Sequence, residues 1–339
     1  MSKPLLSVVV IGRNEGTRLV RCLNSIQAMH DLGGVRELIY VDSGSTDGSR
    51  AQAAALGARV INVQPTRPCA AVGRNAGWRA ATGDYVLFLD GDTVLDPDFA
   101  AAALAGFADP AVAVVFGHRR ELRPRDSWYN RVLDLDWRGL PGDAVYCGGD
   151  AVMRRGALVQ MDGYDETLIA GEEPELCRRL RAAGHRIVHN GREMTGHDLA
   201  LTRLSQYLRR AFRTGHAYAE VARRFRATSD PLWQSAARRN LVHAAVLVAL
   251  LLLGILGSTL LRSPLPLGAG LALILVLMLR SAWRARWRDG DAATLLAYGI
   301  HSHLQQLPIA AGQIAFHIDR LRGQRRQLID YKAGAESER

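Results

Sequence analysis

The first two hundred residues alternate short apolar runs with longer segments in which apolar side chains recur at helical spacing. Four runs are apolar, rich in β-branched residues and bounded by turn residues, which predicts strands at Leu5–Ile11, Leu38–Val41, Val60–Val63 and Tyr85–Leu89. The intervening segments predict crossover helices at Glu15–Met29, Gly48–Leu56 and Val72–Ala81. This alternation is typical of βαβ units that build a parallel α/β sheet. Ligands of such sheets bind at the carboxyl ends of the strands.

A long apolar segment follows the predicted sheet. Leu241–Leu261 is interrupted by only three polar side chains, and its length suffices to cross a hydrocarbon core of roughly 30 Å. After a break at residues 262–266, which contains Arg262 and two prolines, Leu267–Leu279 is again apolar and leads to tryptophans of the kind found at membrane interfaces. We therefore predict a membrane hairpin over residues 241–283.

The stretch after the hairpin is less apolar. Ala292–Leu321 mixes apolar residues with histidines and glutamines, which favours an interfacial or half-inserted helix. A third membrane span is the alternative.

Charge is divided unevenly along the chain. The formal net charge is +10, yet residues 1–197 contain 23 Lys and Arg against 24 Asp and Glu, whereas residues 198–339 contain 20 against 9. Basic residues beside membrane spans are retained in the cytosol and attract anionic headgroups. The asymmetry thus predicts contact with membrane lipids, and the nearly neutral first half disfavours nucleic acid as a partner.

Cysteine usage and the start of the chain indicate a cytosolic setting. The four cysteines form no Cys-x-x-Cys pair, so neither a disulfide framework nor a zinc site is expected. The first six residues carry no long apolar run that would indicate a cleaved secretory signal. We expect a multi-pass protein of the cell inner membrane whose first domain is cytoplasmic.

Two carboxylates end the fourth predicted strand. Alternation along an extended chain points Asp90 and Asp92 the same way, with Gly91 between them. Convergent carboxylates are hard oxygen ligands that suit Mg²⁺ or Mn²⁺, whose remaining ligands often come from a diphosphate. A plain strand-to-helix turn, capped by Asp92, is the alternative for this motif taken alone.

The ordered set of motifs resembles family 2 glycosyltransferases over about residues 5–200. The resemblance rests on Ser7–Ile11 followed by Asn14-Glu15, on Val41–Ser49, on Gly73–Gly77, and on Gly83-Asp84-Tyr85 leading into Asp90-Gly91-Asp92. It implies the GT-A fold, a Rossmann-like α/β domain. It also implies contacts with a nucleotide-sugar donor for Asn14, Glu15, Asp42, Arg74, Asn75 and Asp90, with Asp42 at the uracil or ribose.

Two later segments resemble the acceptor side of the family's site. The loop containing Gly149 and Asp150 is similar to the family's loop near donor sugar and acceptor, although a simple tight turn explains it equally well. Gly171–Leu180 is similar to the family's helix-opening acidic motif, but Glu173 stands where aspartate commonly serves as catalytic base. We predict Glu173 as the base, with Glu172 as its rival. The alternative is that these acids lie in the first helical turn only because the helix dipole stabilises negative charge there.

Three further residues are candidates by resemblance. His197 is expected near the metal or diphosphate, as in some GT-A enzymes, while a structural histidine is the more common case. Arg210 and Arg213 lie in a segment similar to the Gln-x-x-Arg-Trp element of polymerising relatives, but no tryptophan follows. They are expected either to clamp a donor phosphate or to lie on lipid headgroups.

These observations predict a GT-A domain at residues 1–200, a basic juxtamembrane region at 201–240, a transmembrane hairpin at 241–283 and an interfacial helix with a basic tail at 284–339. The expected activity is metal-dependent, inverting transfer from a nucleotide sugar, by resemblance a UDP-sugar, to a lipid-linked or polysaccharide acceptor. The alternative is a catalytically silent, membrane-bound scaffold that binds nucleotide and serves polysaccharide assembly.

Overall fold

The computed structural model describes residues 6–30, 36–67 and 69–324. The chain forms two compact units. The first contains the chain up to Leu122 together with Trp137–Leu199, and the second contains Arg123–Asp136 and the chain from Ala200 onward. The predicted basic tail beyond residue 324 lies outside the described residues, and the proposed domain boundaries at residues 200, 240 and 283 stay predictions.

The first unit alternates strands and helices as its sequence predicts. Its strands are β1 (Leu6–Gly12), β2 (Arg36–Asp42), β3 (Arg59–Asn62), β4 (Tyr85–Asp90), β5 (Thr93–Leu95), β6 (Val112–Glu121), β7 (Gly142–Asp143), β8 (Ala151–Arg154) and β9 (Arg186–His197). Its helices are α1 (Thr17–Gln27), α2 (Ser49–Ala55), α3 (Ala70–Ala80), α4 (Phe99–Ala105), α6 (Arg155–Gln160) and α7 (Glu172–Ala182), and α5 belongs to the second unit. The four predicted strands and three predicted helices are confirmed, with their ends displaced by a few residues.

All nine strands of the described chain join one mixed sheet, ordered β3-β2-β1-β4-β8-β6-β9-β5, with β7 beside β9. β1 pairs in parallel with both β2 and β4. The chain order therefore reverses between β1 and β4, the point at which open α/β sheets place their ligands. The mixed half begins where β8 pairs antiparallel with β4.

Alternation along the central strands builds a core on each face of the sheet. Val8 and Val10 of β1 join one apolar cluster with α1 and α4, while Val9 and Ile11 join a second cluster with residues of α3, α6 and α7. Because both faces are covered, the parallel strands read as continuous apolar runs instead of alternating ones. The carboxyl ends of β1 and β4 are thereby held in fixed register.

The second unit is helical in its described part. Its helices are α5 (Trp128–Asp136), α8 (Leu204–Arg224), α9 (Gln234–Leu261), α10 (Leu265–Arg284), α11 (Ala292–Leu304) and α12 (Gln306–Leu321). Among the residues described, α9 and α10 are long and apolar enough to cross a membrane, with mean hydropathies of 2.6 and 1.9 over their apolar windows. Only 17% and 11% of those windows is buried, whereas the core helix of a soluble protein would be mostly buried.

The break between α9 and α10 follows the sequence prediction. α9 ends at Leu261, Arg262 adopts a left-handed conformation with φ of 47°, and α10 begins at Leu265 with Pro266 in its first turn. Proline suits that position because its nitrogen would lack a helical partner there in any case. The break between two apolar helices therefore lies where the sequence predicts it, and the membrane hairpin stays a prediction.

The segment predicted as one interfacial helix at Ala292–Leu321 is two helices. α11 ends at Leu304 and α12 starts at Gln306, with Pro308 in the first turn of α12. A proline at that place cannot continue the preceding helix, because its ring meets the carbonyl four residues earlier. With 13 and 16 residues, each helix is shorter than the roughly 20 residues that a span needs.

Helices α8 and α12 pack at close range through two glycines. A Cβ atom at Gly215 would overlap the carbonyl oxygen of Ile309, and one at Gly312 would overlap that of Phe212. Small residues at a helix crossing let the two backbones approach each other. This crossing fixes α8, which carries Arg210 and Arg213, against α12.

Candidate active site

The two predicted metal-binding carboxylates lie at the reversal point of the sheet. Asp90 ends β4, Asp92 follows in the turn to β5, and the Gly91 amide between them donates to Ile11 O on β1 at 2.8 Å. Asp92 is buried, whereas 28% of the Asp90 side chain is exposed. The turn therefore presents both carboxylates where β1 and β4 end side by side.

The strand β9 brings His197 to the same place. Thr93 of β5 pairs with His197 in the antiparallel ladder, and the Asp198 amide donates to Asp92 O at 3.1 Å. Arg21 anchors the end of this segment, with its Nη2 atom 2.8 Å from Asp198 Oδ2. His197 Nε2 consequently lies 3.4 Å from Asp92 Oδ1.

Asp90, Asp92 and His197 form a donor set that fits one divalent cation. One ligand atom from each lies within 4.8 Å of the other two, and ligands around a single Mg²⁺ lie at most about 4.2 Å apart. Small rotations of the side chains would bring the three atoms to that distance. Two hard carboxylates and one imidazole suit Mn²⁺, which accepts both oxygen and nitrogen ligands.

Arg74 connects the metal-binding group to the candidate catalytic glutamates. Its Nη2 atom donates to Asp90 Oδ1 at 3.0 Å. Its Nη1 atom lies 3.0 Å from Glu172 Oε1 and 2.9 Å from Glu173 Oε1. Helix α3 supplies the arginine and the first turn of α7 supplies both glutamates, so the guanidinium draws three carboxylates into one cluster.

The charge balance around Arg74 keeps it ionised. Burial alone would lower the pKa of the guanidinium, but Glu173, Asp90 and Glu172 outweigh burial and raise that pKa well above its ordinary value. Only 3% of the Arg74 side chain is exposed. A permanent positive charge therefore lies between the candidate metal-binding carboxylates and the predicted base.

Asp150 forms a second ion pair behind Asp90. Its Oδ1 atom accepts from the Asp90 amide at 3.0 Å, and its Oδ2 atom accepts from Arg119 Nη2 at 3.0 Å and Thr195 Oγ1 at 2.8 Å. Burial raises the pKa of Asp150, Arg119 opposes that shift, and the neighbouring Asp90 adds to it. Asp150 thus holds the Asp90 backbone from inside the protein.

The loop at Gly149 lies directly against this cluster. A Cβ atom at residue 149 would overlap Arg74 Nη2 and lie 3.1 Å from Asp90 Oδ2. Cys147, two residues earlier, lies with its Sγ atom 3.6 Å from Sγ of Cys177 on α7, and both thiols are buried. The loop is therefore tied to the helix that carries Glu172 and Glu173, and a side chain at position 149 would displace the Arg74 guanidinium.

The predicted nucleotide-binding turns lie side by side at the ends of β1 and β2. Asn14 Oδ1 accepts from the Thr46 amide at 2.8 Å, and the Asn14 amide donates to Ser45 Oγ at 2.9 Å. Glu15 lies 3.1 Å from Arg18 Nε. Asp42 is fully buried and accepts from the Gly44 and Ser45 amides and from Tyr40 Oη. In this structure Asp42 shapes its turn, and its predicted contact with the nucleotide stays a prediction.

Asn75 is buried and uses its whole amide within the protein. Its Nδ2 donates to Tyr164 O and Glu166 Oε1, each at 2.8 Å, and its Oδ1 accepts from the Tyr164 amide and Trp78 Nε1, each at 2.9 Å. A donor molecule could bind Asn75 only by displacing one of these bonds. The arrangement makes Asn75 the anchor of the loop that precedes α7.

Two predicted donor-binding residues belong to the other unit. Arg210 and Arg213 lie on α8, so the geometry of the first unit neither includes nor tests them. Their expected contact with a donor phosphate remains a prediction.

Several residues around the carboxylates were not predicted from the sequence. Arg119 pairs with Asp150, lies 3.8 Å from Asp90 Oδ2, and places its guanidinium 5.6 Å from the centroid of the Trp137 ring. That ring in turn meets His197 edge to face at 5.3 Å. The change from apolar to basic residues along β6 was a visible signal, but its meaning depends on the pairing of β6 with β8 and β9.

The sheet order and the alternation of strands and helices are those of a GT-A α/β domain. Residues 7–160, a little under half of the chain, match the model of the family described as Glycosyl transferase family 2.

Curated relatives match between about half and two thirds of the chain. The chain is 29% identical over 226 residues to a pre-mycofactocin glycosyltransferase of Mycobacterium tuberculosis, covering 62% of this chain and 46% of the relative. It is 27% identical over 210 residues to an N-acetylglucosaminyltransferase of Rhizobium leguminosarum bv. viciae, covering 54% and 48%. The chain therefore spans about half the length of these relatives.

A solved structure supports the fold over almost the whole chain. The mannosyltransferase PcManGT from Pyrobaculum calidifontis, determined in complex with GDP-Man and Mn²⁺, superimposes with a TM-score of 0.59 and 19% sequence identity. The match covers 96% of this chain and 89% of that one. At this identity the likeness establishes the fold.

Proposed function

We propose that this protein is a metal-dependent, inverting glycosyltransferase that uses a nucleotide-sugar donor. The observation that carries the proposal is the convergence of Asp90, Asp92 and His197 where β1 and β4 end, within 4.8 Å of one another. The proposed donor is a UDP-sugar. The mannosyltransferase PcManGT was solved with GDP-Man. The experiment therefore tests guanosine as well as uridine donors.

The residues around the carboxylates fit the binding of a diphosphate. A divalent cation bound there would neutralise the charge that builds on the departing nucleotide diphosphate. Asp90, Asp92 and His197 would hold it. Arg74, positively charged and bonded to Asp90, adds a fixed positive charge beside the leaving group and orients the carboxylate that it contacts.

The proposed base is Glu173, with Glu172 as the second candidate. An inverting transfer needs a carboxylate to accept the proton of the acceptor hydroxyl while that oxygen attacks the anomeric carbon. Glu173 is the more accessible of the pair, with 16% of its side chain exposed against 6% for Glu172. A second oxygen of Glu173 remains for the acceptor when Oε1 is engaged by Arg74.

The proposed acceptor is lipid-linked or a nascent polysaccharide at the cytosolic face of the inner membrane. Helices α9 and α10 support this choice, because their length and apolar surface suit a membrane hairpin. Membrane attachment would keep a lipid-borne hydroxyl within reach of a cytoplasmic domain.

The full chain, purified in detergent, should release UDP or GDP from one of a panel of sugar donors when Mn²⁺ and membrane lipid extract are present. Asp92→Asn should lower that release at least about 100-fold. Asp98→Asn serves as the matched control, because Asp98 is an exposed carboxylate bonded to His30 on the surface. The proposal is wrong if no donor gives metal-dependent release, or if Asp92→Asn behaves as Asp98→Asn does.

A catalytically silent, nucleotide-binding scaffold is the second candidate. The ion pair between Arg74 and Glu173 at 2.9 Å favours it, since the arginine already occupies one oxygen of the proposed base. A scaffold would bind UDP without turning over any donor, and Glu173→Gln would leave its cellular role intact. An enzyme would lose that role with the same substitution.

A further inference from the structure

A cavity of about 270 Å³ lies in the second unit, at the end of α10. It is bounded by the last turns of α10, the short turn that follows, and the face of α11. Its lining residues are Arg280, Ser281, Arg284, Ala285, Trp287, Arg288, Tyr298 and Ser302. Three arginines spaced four residues apart therefore face one cavity where an apolar helix ends.

The positive charge of this cavity is largely uncompensated. Among the residues described, neither Arg280 nor Arg284 forms an ion pair with a carboxylate. Arg288 is held in place by the end of α5, since its Nη1 atom donates to Leu135 O at 2.8 Å and Asp136 O at 2.6 Å. The Asp136 carboxylate lies 3.4 Å from the same nitrogen, so Arg288 already has an acidic partner.

The hydroxyl groups of the wall are already engaged. Ser281 Oγ bonds His303 Nε2 at 2.9 Å, Ser302 Oγ donates to Gly299 O at 2.9 Å, and Tyr298 Oη donates to Asp136 Oδ1 at 3.0 Å. The guanidinium groups of Arg280 and Arg284 thus remain as charged donors for a ligand. A ligand recognised by them has to be an anion with several acceptor oxygens.

The surroundings of the cavity are those of a membrane boundary. The apolar window of α10 is 11% buried, and the side chains of Trp283 and Trp287 are 62% and 50% exposed. Tryptophan beside an exposed apolar helix is typical of the headgroup level of a bilayer. At that depth the common anion with several oxygens is a lipid phosphate.

We propose that this cavity binds the phosphate group of an anionic lipid headgroup through Arg280 and Arg284. Arg288, held by its hydrogen bonds to α5, lines the cavity beside them. The planar forks of the two arginines match phosphate oxygens in pairs, which a lysine could not do. A soluble phosphate compound offers the same chemistry, and the experiment separates the two sources. The inference concerns the second unit alone and does not depend on glycosyl transfer.

The test uses the full chain in a neutral detergent and native mass spectrometry with added phosphatidylglycerol or phosphatidylcholine. The double substitution Arg280→Gln with Arg284→Gln should weaken phosphatidylglycerol binding about tenfold. The matched control is Arg238→Gln with Arg239→Gln, which removes the same charge at exposed positions of α9. Its effect should stay below about twofold. Thermal unfolding of both variants checks that each remains folded.

A parallel measurement adds inorganic phosphate at millimolar concentration. If the phosphate displaces phosphatidylglycerol and binds with the same dependence on Arg280 and Arg284, the cavity recognises a phosphate group from either source. If it does not displace the lipid, the headgroup in its membrane setting is the ligand. Equal losses in the two double variants, or unchanged binding in the cavity variant, would overturn the proposal.

Discussion

Nη2 of Arg74 lies 3.0 Å from Oδ1 of Asp90, and the same guanidinium reaches Glu173 with its other nitrogen. These contacts couple the proposed metal-binding group, through Asp90, to the proposed base. The sequence separation between Arg74 and Glu173 is 99 residues, so only the fold brings them together. A change at Arg74 should therefore affect the metal-binding group and the base at once.

Arg74→Met is expected to lower donor turnover at least about 100-fold and to reduce the free energy of unfolding by roughly 3–5 kcal/mol. The physical reason is that three carboxylates, of which Glu172 is buried and Asp90 and Glu173 are partly buried, lose their shared counter-charge. Nucleotide release and thermal unfolding measure the two effects.

Arg79→Met is the matched control for that substitution. Arg79 lies on the same helix but is 48% exposed, with Asp162 and Glu166 as partners, so its loss should cost about 1 kcal/mol or less. Equal stability losses in the two variants would show that the Arg74 cluster contributes no more than a surface ion pair.

Glu173→Gln is expected to lower kcat by about 10²–10⁴-fold while leaving the KM for the donor within a few-fold. The amide keeps an acceptor for Arg74 but cannot take a proton from the acceptor hydroxyl. Glu172→Gln should lower kcat far less, because that side chain is more deeply enclosed. The reverse ranking would transfer the role of base to Glu172, and unchanged kcat in both would exclude the pair.

Local sequence patterns were sufficient to predict the parts of the site that lie on the parallel strands. Asp90 and Asp92 could be placed because an apolar run ends directly before them, and alternation fixes the direction of both side chains. The opening of α7 was similarly readable from Gly171 and the glutamates that follow it. The sequence therefore predicted the α/β fold and the carboxylate turn.

Arg119 could not be predicted because its role depends on long-range pairing. β6 pairs with β9 in parallel through several register shifts, and such irregularities change which face a side chain occupies. The division of Ala292–Leu321 into two helices was missed for a simpler reason. Pro308 was available as a signal, but the apolar pattern runs on through it.

His189 is expected to make the protein sensitive to acid. Burial, reinforced by His118, lowers the pKa of His189 to about 4 from its ordinary value of 6.5. Because the unfolded chain binds the proton more readily between those values, stability should fall as pH drops from 7 to 5. The expected loss from this residue is about 2 kcal/mol.

His189→Gln should remove that part of the pH dependence. The thermal midpoint of the variant should fall by a few degrees less than that of the parent between pH 7 and pH 5. His185→Gln provides the comparison, since His185 is a partly exposed neighbour bonded to Gln160. Identical pH dependence in parent and His189→Gln would contradict the assignment.

The crossing of α8 and α12 gives a prediction for the second unit. Gly215→Ala would drive a methyl group into the carbonyl oxygen of Ile309, and neither backbone can yield without separating the helices. Overpacking of this kind typically costs about 1–3 kcal/mol, and backbone contact places this site at the upper end. Thermal unfolding in detergent should show a lower midpoint for Gly215→Ala and for Gly312→Ala.

Gly268→Ala on α10 is the control, because no atom lies within 4 Å of its added methyl group, and it should leave the midpoint unchanged or slightly raised. If all three variants unfold at the same temperature, the two glycines do not hold α8 against α12.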